Sequence, residues 1–311
     1  MTRAAGPARV LYLNPMDYGR NPGVDAIAHG LHHRLERGGV ELVVEFTDFA
    51  DPDWLHAQEA AIRAAIDAGV AGIVLYVLDP AQPAAPAAEA RERGLAVVTF
   101  ERPRYPVNGS LVYPNFNQGV YLADELAGAL APGARVAVIG GPKIVDDEEL
   151  LAGIVHGVVH SHLELVNDPT LDHYRNQTDV RDGGRETALR VLADFPRLDG
   201  LIPFNDETML GTLDALEETG RAGEMPLVSR NGSPKAVQAV REGRSLGTWD
   251  IDCPAIGAAV GELMLRALAD PAGMRGELAI GPIGRMLTAA TLDGWVPWSE
   301  RVPQTSLNVG L

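Results

Sequence analysis

From residue 10 to residue 229, short apolar runs without alternation are separated by stretches in which apolar residues return every three or four positions. A run that is apolar at every position is the pattern of a strand buried on both faces of a parallel sheet. The three-to-four spacing is that of an amphipathic helix. The first series reads VLYLN (10–14), a helix near 21–38, ELVVEF (41–46), a helix near 53–68, GIVLYVL (72–78), a helix near 84–93 and LAVVTF (95–100). Gly38-Gly39 marks the end of its first helix. The second series has helices near 117–130, 147–161, 183–195, 206–219 and 234–242. Between them lie RVAVIGG (135–141), LELV (163–166), LIPF (201–204) and PLVS (226–229), with SLGTWDI (245–251) after the last. CPAIGAAVGELMLRAL continues as a further helical stretch, and the tail holds short strand-like pieces rich in Gly and Pro. Alternation of this kind predicts an α/β protein, and two doubly wound units accommodate it better than one sheet.

One junction draws chemistry into the picture. The apolar run Leu201, Ile202, Phe204 breaks into Asn205-Asp206-Glu207 before Met209, Leu210, Leu213 and Leu216 resume at helical spacing. Asn205 or Asp206 is a candidate N-cap. The carboxyl ends of strands in an open α/β sheet are also where ligands bind, so Asn205 is expected to cap, to bind, or to do both.

Charge and composition exclude more than they select. With 26 basic residues against 42 acidic ones and a formal charge of −16, the chain lacks the clustered cations that a nucleic-acid partner requires, and none is expected. The single Cys253 permits no internal disulfide and no thiolate metal cluster. No apolar run reaches the length of a membrane span. The start, MTRAAGPARVLYLNP, carries neither the basic nor the long apolar region of an export signal. The expectation is therefore a cytoplasmic protein if Met1 is the native start, or a periplasmic or other extracytoplasmic one if a signal was removed. IGGPK (139–143) lacks P-loop spacing, and no G-x-G-x-x-G or G-x-S-x-G is present. The reading is non-enzymatic, without cofactor or metal. His29, His32, His33, His156, His160 and His162, although at helical spacings, read as packed or solvated side chains.

The segments NPGVDAIAHGLHHRLERGGVELVV (21–44), VVTFERPR (97–104), PNFNQG (114–119), FNDETMLGTLDAL (204–216) and NGSPKAVQAVREG (231–243) stand in a recognisable order. In that order the chain resembles the type I periplasmic sugar-binding proteins, especially the ribose-binding type, which share their fold with LacI-type effector domains. The resemblance runs from about residue 8 to residue 290. It implies two Rossmann-like doubly wound lobes joined by three crossovers. Lobe one would be 7–113 and 253–283, and lobe two 114–252 and 284–311. A sugar or related small polar ligand would lie in a cleft between lobes that close on it. The implied partner is an ABC transporter permease or receptor, and the implied state a monomer. The alternative reading is a cytoplasmic sensing domain of the LacI-type effector fold without a DNA-binding domain.

The resemblance also names candidate ligand contacts. Asn21, after the loop MDYGR with its Asp17 and Tyr18, matches the family's first-lobe Asn. Glu101 and Arg102 stand where the family carries an acid and an arginine, a pairing able to clasp vicinal hydroxyls. Asn115 and Asn231 occupy positions usually held by Asp, and Asn205 matches the family's Asn. Asp250 and Asp252 fall at the last crossover, on one side of an extended segment, with one of the two expected to reach ligand. Gly23 and Val24 replace the family's ring-stacking aromatics, which leaves Tyr18, Phe116 and Trp249 to supply an apolar face. The second lobe's usual arginine is missing before the helix of 147–161. Lys143 is its candidate substitute, and the acidic residues 146–149 read as complementing the helix dipole.

Overall fold

The computed structural model describes residues 7–311; the opening residues 1–6, read above for an export signal, lie outside the described residues. The chain first builds β1 (Ala8–Asn14), α1 (Pro22–Arg37), β2 (Val40–Phe46), α2 (Trp54–Asp67), β3 (Gly72–Tyr76), α3 (Ala84–Glu92), β4 (Ala96–Phe100) and β5 (Gly109–Val112). It continues through α4 (Asn115–Ala129), β6 (Arg135–Ile139), α5 (Val145–His160), β7 (Glu164–Leu165), α6 (Arg181–Asp194), β8 (Gly200–Pro203), α7 (Asp206–Glu218), β9 (Val228–Asn231), α8 (Pro234–Arg241) and β10 (Gly247–Asp250). The end of the chain adds α9 (Cys253–Ala269), β11 (Glu277–Ile280), β12 (Arg285–Thr288), α10 (Trp298–Arg301) and β13 (Asn308–Val309).

These elements form two compact units. The first holds the described residues up to Tyr113 with Cys253–Pro282 and Trp298–Leu311, and the second holds Pro114–Asp252 with Ile283–Pro297. The expected assignment of the whole tail 284–311 to lobe two is corrected for its last fourteen residues. There β13 pairs in parallel with β2, Asn308 opposite Val43, and draws the tail back to the first unit. The chain accordingly passes between units four times rather than three.

In the first unit a seven-stranded parallel sheet runs β11-β5-β4-β3-β1-β2-β13. The inner strands are buried at nearly every position, which is why their sequences show no alternation. In the second unit β7-β6-β8 and β9-β10-β12 form two short sheets, joined by a parallel bridge between Leu201 and Leu227. Strand β12 is antiparallel to β10. Each unit has its own core: Leu11, Leu13, Ile62 and Val97 in the first, Ile139, Val191, Leu201 and Met209 in the second.

Helix pairs pack at backbone contact through glycine. A Cβ added at Gly153 of α5 would lie 2.0 Å from the Phe116 carbonyl oxygen of α4. Likewise a Cβ at Gly257 of α9 would lie 1.9 Å from the Ile27 carbonyl of α1. At these two crossings any side chain would force the helices apart, so the glycines fix how closely each helix pair packs.

Candidate functional site

The carboxyl end of the second unit's sheet is a buried polar assembly. Arg230, the penultimate residue of β9, is 5% exposed. Its guanidinium donates to the Asn115 side-chain oxygen at 2.9 Å and to Asp147 at 3.3 Å, with Asp146 at 3.9 Å. The acids of 146–149 do open α5, but Asp146 and Asp147 are buried against an arginine rather than solvated on the helix dipole. Burial pushes the Asp147 carboxyl well above the ordinary range and the Asp146 charge pushes it further, while Arg230 pulls it back. The expected stand-in, Lys143, is exposed and pairs with Asp172 at 2.7 Å. The cation of this end is therefore Arg230, which the sequence reading passed over. A second arginine, Arg175, is fully buried and donates to the carbonyls of Gly141 (2.6 Å) and Pro142 (3.1 Å) and to Glu148, tying down the loop before α5.

Asn205 does cap. Its side-chain oxygen accepts from the Thr208 backbone N–H at 3.0 Å, and its amide donates to Asp179. Asp179, also unforeseen, sits with a left-handed backbone (φ 53°) just before α6, and its carboxyl is pushed up to about 7, chiefly by burial, with the Asn205 hydrogen bond pulling the other way. Glu207 rises to about 7 through burial and then the neighbouring Asp206 charge. Asp206 itself is a structural hub. It is fully buried and accepts from Ser229 and Thr248 at 2.6 Å each and from the Ser233 backbone N–H at 2.6 Å, joining α7 to β9, β10 and α8. Burial raises its carboxyl to about 6 despite those donors.

Asn231 ends β9 in a left-handed conformation (φ 129°), 8% exposed. A non-glycine residue there is strained, and such strain gathers at functional sites. Asp250 ends β10, where it accepts from Trp295 Nε1 at 2.9 Å and from the Asp252 backbone N–H at 2.9 Å. The extended-segment argument for Asp250 and Asp252 fails because the strand stops at Asp250 and Asp252 turns left-handed (φ 54°). Trp249 lies on the opposite side of β10 from Asp250. Its ring stacks on Tyr121 at 4.8 Å between centroids and its Nε1 donates to the Ile283 carbonyl at 3.0 Å, so packing within the unit already uses its face. Phe116 stays 41% exposed at the start of α4, beside His156.

The first unit brings a smaller polar set to the carboxyl ends of its strands. Asn21 caps α1 by accepting from the Gly23 N–H at 2.9 Å, and it is buried. In the loop before it, Asp17 is exposed and Tyr18 is half exposed, with its hydroxyl 2.8 Å from His29 Nε2. Asp25 accepts from the Gly19 N–H, and burial raises its carboxyl to about 6. Glu101 is buried with a left-handed backbone (φ 61°) immediately after β4. No ion pair joins Glu101 to its neighbour Arg102. That turn sends Arg102 outward, where it is exposed and makes no hydrogen bond or ion pair among the described residues.

The acceptors and donors of the second unit's polar end suit hydroxyl groups, which both give and take hydrogen bonds. With this geometry established, comparison with known proteins assigns the family: the chain belongs to the periplasmic binding protein domain family, whose model matches residues 16–272. A xylitol-binding protein of Mycolicibacterium smegmatis is 26% identical over 200 residues, 61% of this chain and 54% of that one, so the chain spans about half the length of this curated relative. Among solved structures, an ABC transporter solute-binding protein of Actinobacillus succinogenes with bound D-allose superposes with a TM-score of 0.80 at 16% identity, covering 93% of this chain and 100% of that one. One from Bacillus halodurans with bound myo-inositol gives 0.76 at 16% identity, covering 94% and 98%. These likenesses place the fold among type I periplasmic binding proteins.

Proposed function

We propose that this protein is an extracytoplasmic solute-binding protein that captures a sugar or, by preference, an acyclic polyol and delivers it to an ABC importer. The observation that carries the reading is the buried assembly of Asn115, Asp147, Asp179, Asn205 and Arg230 at the carboxyl end of the second unit's sheet. Amides and carboxylates held rigid by a cap and an arginine offer several fixed acceptors and donors to adjacent hydroxyls. Asn231 and Asp250 at the same strand ends, and Asn21 and Glu101 at those of the first unit, are proposed as further ligand contacts. The preference for a polyol follows from the aromatic side chains: Trp249 is stacked on Tyr121, and Gly23 and Val24 stand where ring-stacking residues are expected. A flexible chain of hydroxyls needs no such platform. The xylitol-binding relative and the sugar- and inositol-bound neighbours support the same class.

The test is a thermal-shift panel of pentitols, hexitols, inositols, pentoses and hexoses, backed by native mass spectrometry of freshly purified protein. A ligand at a hundred times its dissociation constant adds about 2.7 kcal/mol of stability. A saturable rise with at least one polyol is expected; a panel in which no hydroxyl-rich compound shifts the transition at millimolar concentration rejects the reading.

A further inference from the structure

The first unit contains a cavity of about 1030 Å³ that the proposed sugar-binding function does not use. Four arginines line it, Arg91 from the end of α3, Arg102 and Arg104 from the loop after β4, and Arg275 from the approach to β11, together with Tyr105 and Ser110. No Asp or Glu lines it, although acids outnumber basic residues 42 to 26 in the chain. Elsewhere the arginines are mostly paired: Arg93, two positions from Arg91, meets Glu89 at 3.6 Å, and Arg266 meets Glu277 at 2.6 Å. None of the four lining arginines has a carboxylate partner among the described residues. The Nε of Arg91 is buried without a hydrogen-bond partner. A donor left in that state costs about 1–3 kcal/mol, and four guanidinium groups facing one cavity repel each other unless something neutralises them.

We propose that this cavity binds a compact soluble polyanion bearing two or more phosphate or carboxylate groups. The chemistry differs in kind from that of the second unit's polar end. Guanidinium groups only donate, so they select ligands whose oxygens only accept, and their planar forks match phosphate and carboxylate in bidentate fashion. A hydroxyl-rich neutral solute would leave its own donors unmatched there. The volume suits a small molecule rather than a single ion. The strongly negative net charge argues against an anionic membrane as the source of the phosphate.

The probe is inorganic pyrophosphate, titrated calorimetrically into the full chain at low ionic strength, with vesicles of anionic phospholipid as a second arm. Saturable binding is expected, weakened at least tenfold in the double variant Arg104→Gln/Arg275→Gln and unchanged in Arg63→Gln/Arg93→Gln, which removes the same charge from elsewhere on the unit. Protection of Arg102, Arg104 and Arg275 from phenylglyoxal by pyrophosphate, mapped by mass spectrometry on the unmutated protein, is expected to agree. Equal affinities in the two double variants, absence of binding at millimolar pyrophosphate, or binding to vesicles but not to pyrophosphate would each overturn the proposal.

Discussion

Replacing Arg230 by Met keeps an unbranched side chain of similar length and removes the guanidinium. Three groups lose one of their contacts: the Asn115 oxygen at 2.9 Å, Asp147 at 3.3 Å and Asp146 at 3.9 Å. Both acids are buried, at 4% and 3% exposure, so water does not replace what is lost. Breaking a buried ion pair from one side costs about 3–5 kcal/mol. The cost depends on pH in a definite direction. Arg230 is the group that holds the Asp147 carboxyl down against burial and the Asp146 charge, so its removal raises that carboxyl further. In the variant the folded state then keeps a proton that the unfolded chain releases, and stability falls as pH rises, by up to about 1.4 kcal/mol per pH unit over that range. The deficit of the variant should therefore be larger at pH 8 than at pH 5. Urea unfolding at both pH values, followed by the fluorescence of Trp249 and Trp295 in the same unit, measures it. A loss under about 1 kcal/mol that is the same at both pH values would refute the assignment of Arg230 as the counter-charge of this assembly.

Other outcomes follow from the same contacts. Asn205→Ala should cost about 1 kcal/mol of stability through the lost cap and weaken ligand binding in the same variant; loss of stability with unchanged affinity by calorimetry would leave Asn205 a cap alone. Gly153→Ala should destabilise by about 1–3 kcal/mol despite its better helix propensity, because the added Cβ meets the Phe116 carbonyl; chemical denaturation reads the sign. For the unmutated protein, Asp179 and Glu207 near 7 and Asp206 near 6 all lie above their unfolded values. The folded state thus holds protons that the unfolded state has released, and stability should decline from about pH 4 to about pH 7, a slope that Asp179→Asn should flatten.

The alternation of unbroken apolar runs with helical periodicity was enough to place nearly all the helices and inner strands, because buried parallel strands and amphipathic helices write their burial directly into hydrophobicity. Helices α4, α5 and α6 nevertheless begin at 115, 145 and 181, two residues before the periodicity predicts. Their first turns carry Asn115, Asp146 with Asp147, and Asp182, polar residues that an apolar pattern cannot register. Strand β5 lies outside the apolar pattern because GSLV opens on Gly and Ser and leaves only two apolar positions, and β13 has only two residues. Asn205 was legible because capping has a local signature. Arg230 had a fainter one, a charge placed two residues after the apolar pair Leu227 and Val228, where burial demands a partner. Asp179 and Trp295 lie in irregular segments, and their roles come from tertiary neighbours: Asn205 for the one, Asp250 for the other.

Hydroxyl-rich neutral solutes are the proposed cargo. Isothermal titration calorimetry of the unmutated protein with xylitol, and with any panel member that gives a larger thermal shift, tests this directly. One-to-one saturable binding is predicted, with affinity reduced at least tenfold, about 1.4 kcal/mol, for the analogue in which one contacted hydroxyl is replaced by hydrogen. Absence of binding by every polyol and sugar, alongside tight binding of a neutral amino acid by the same protein, would contradict it.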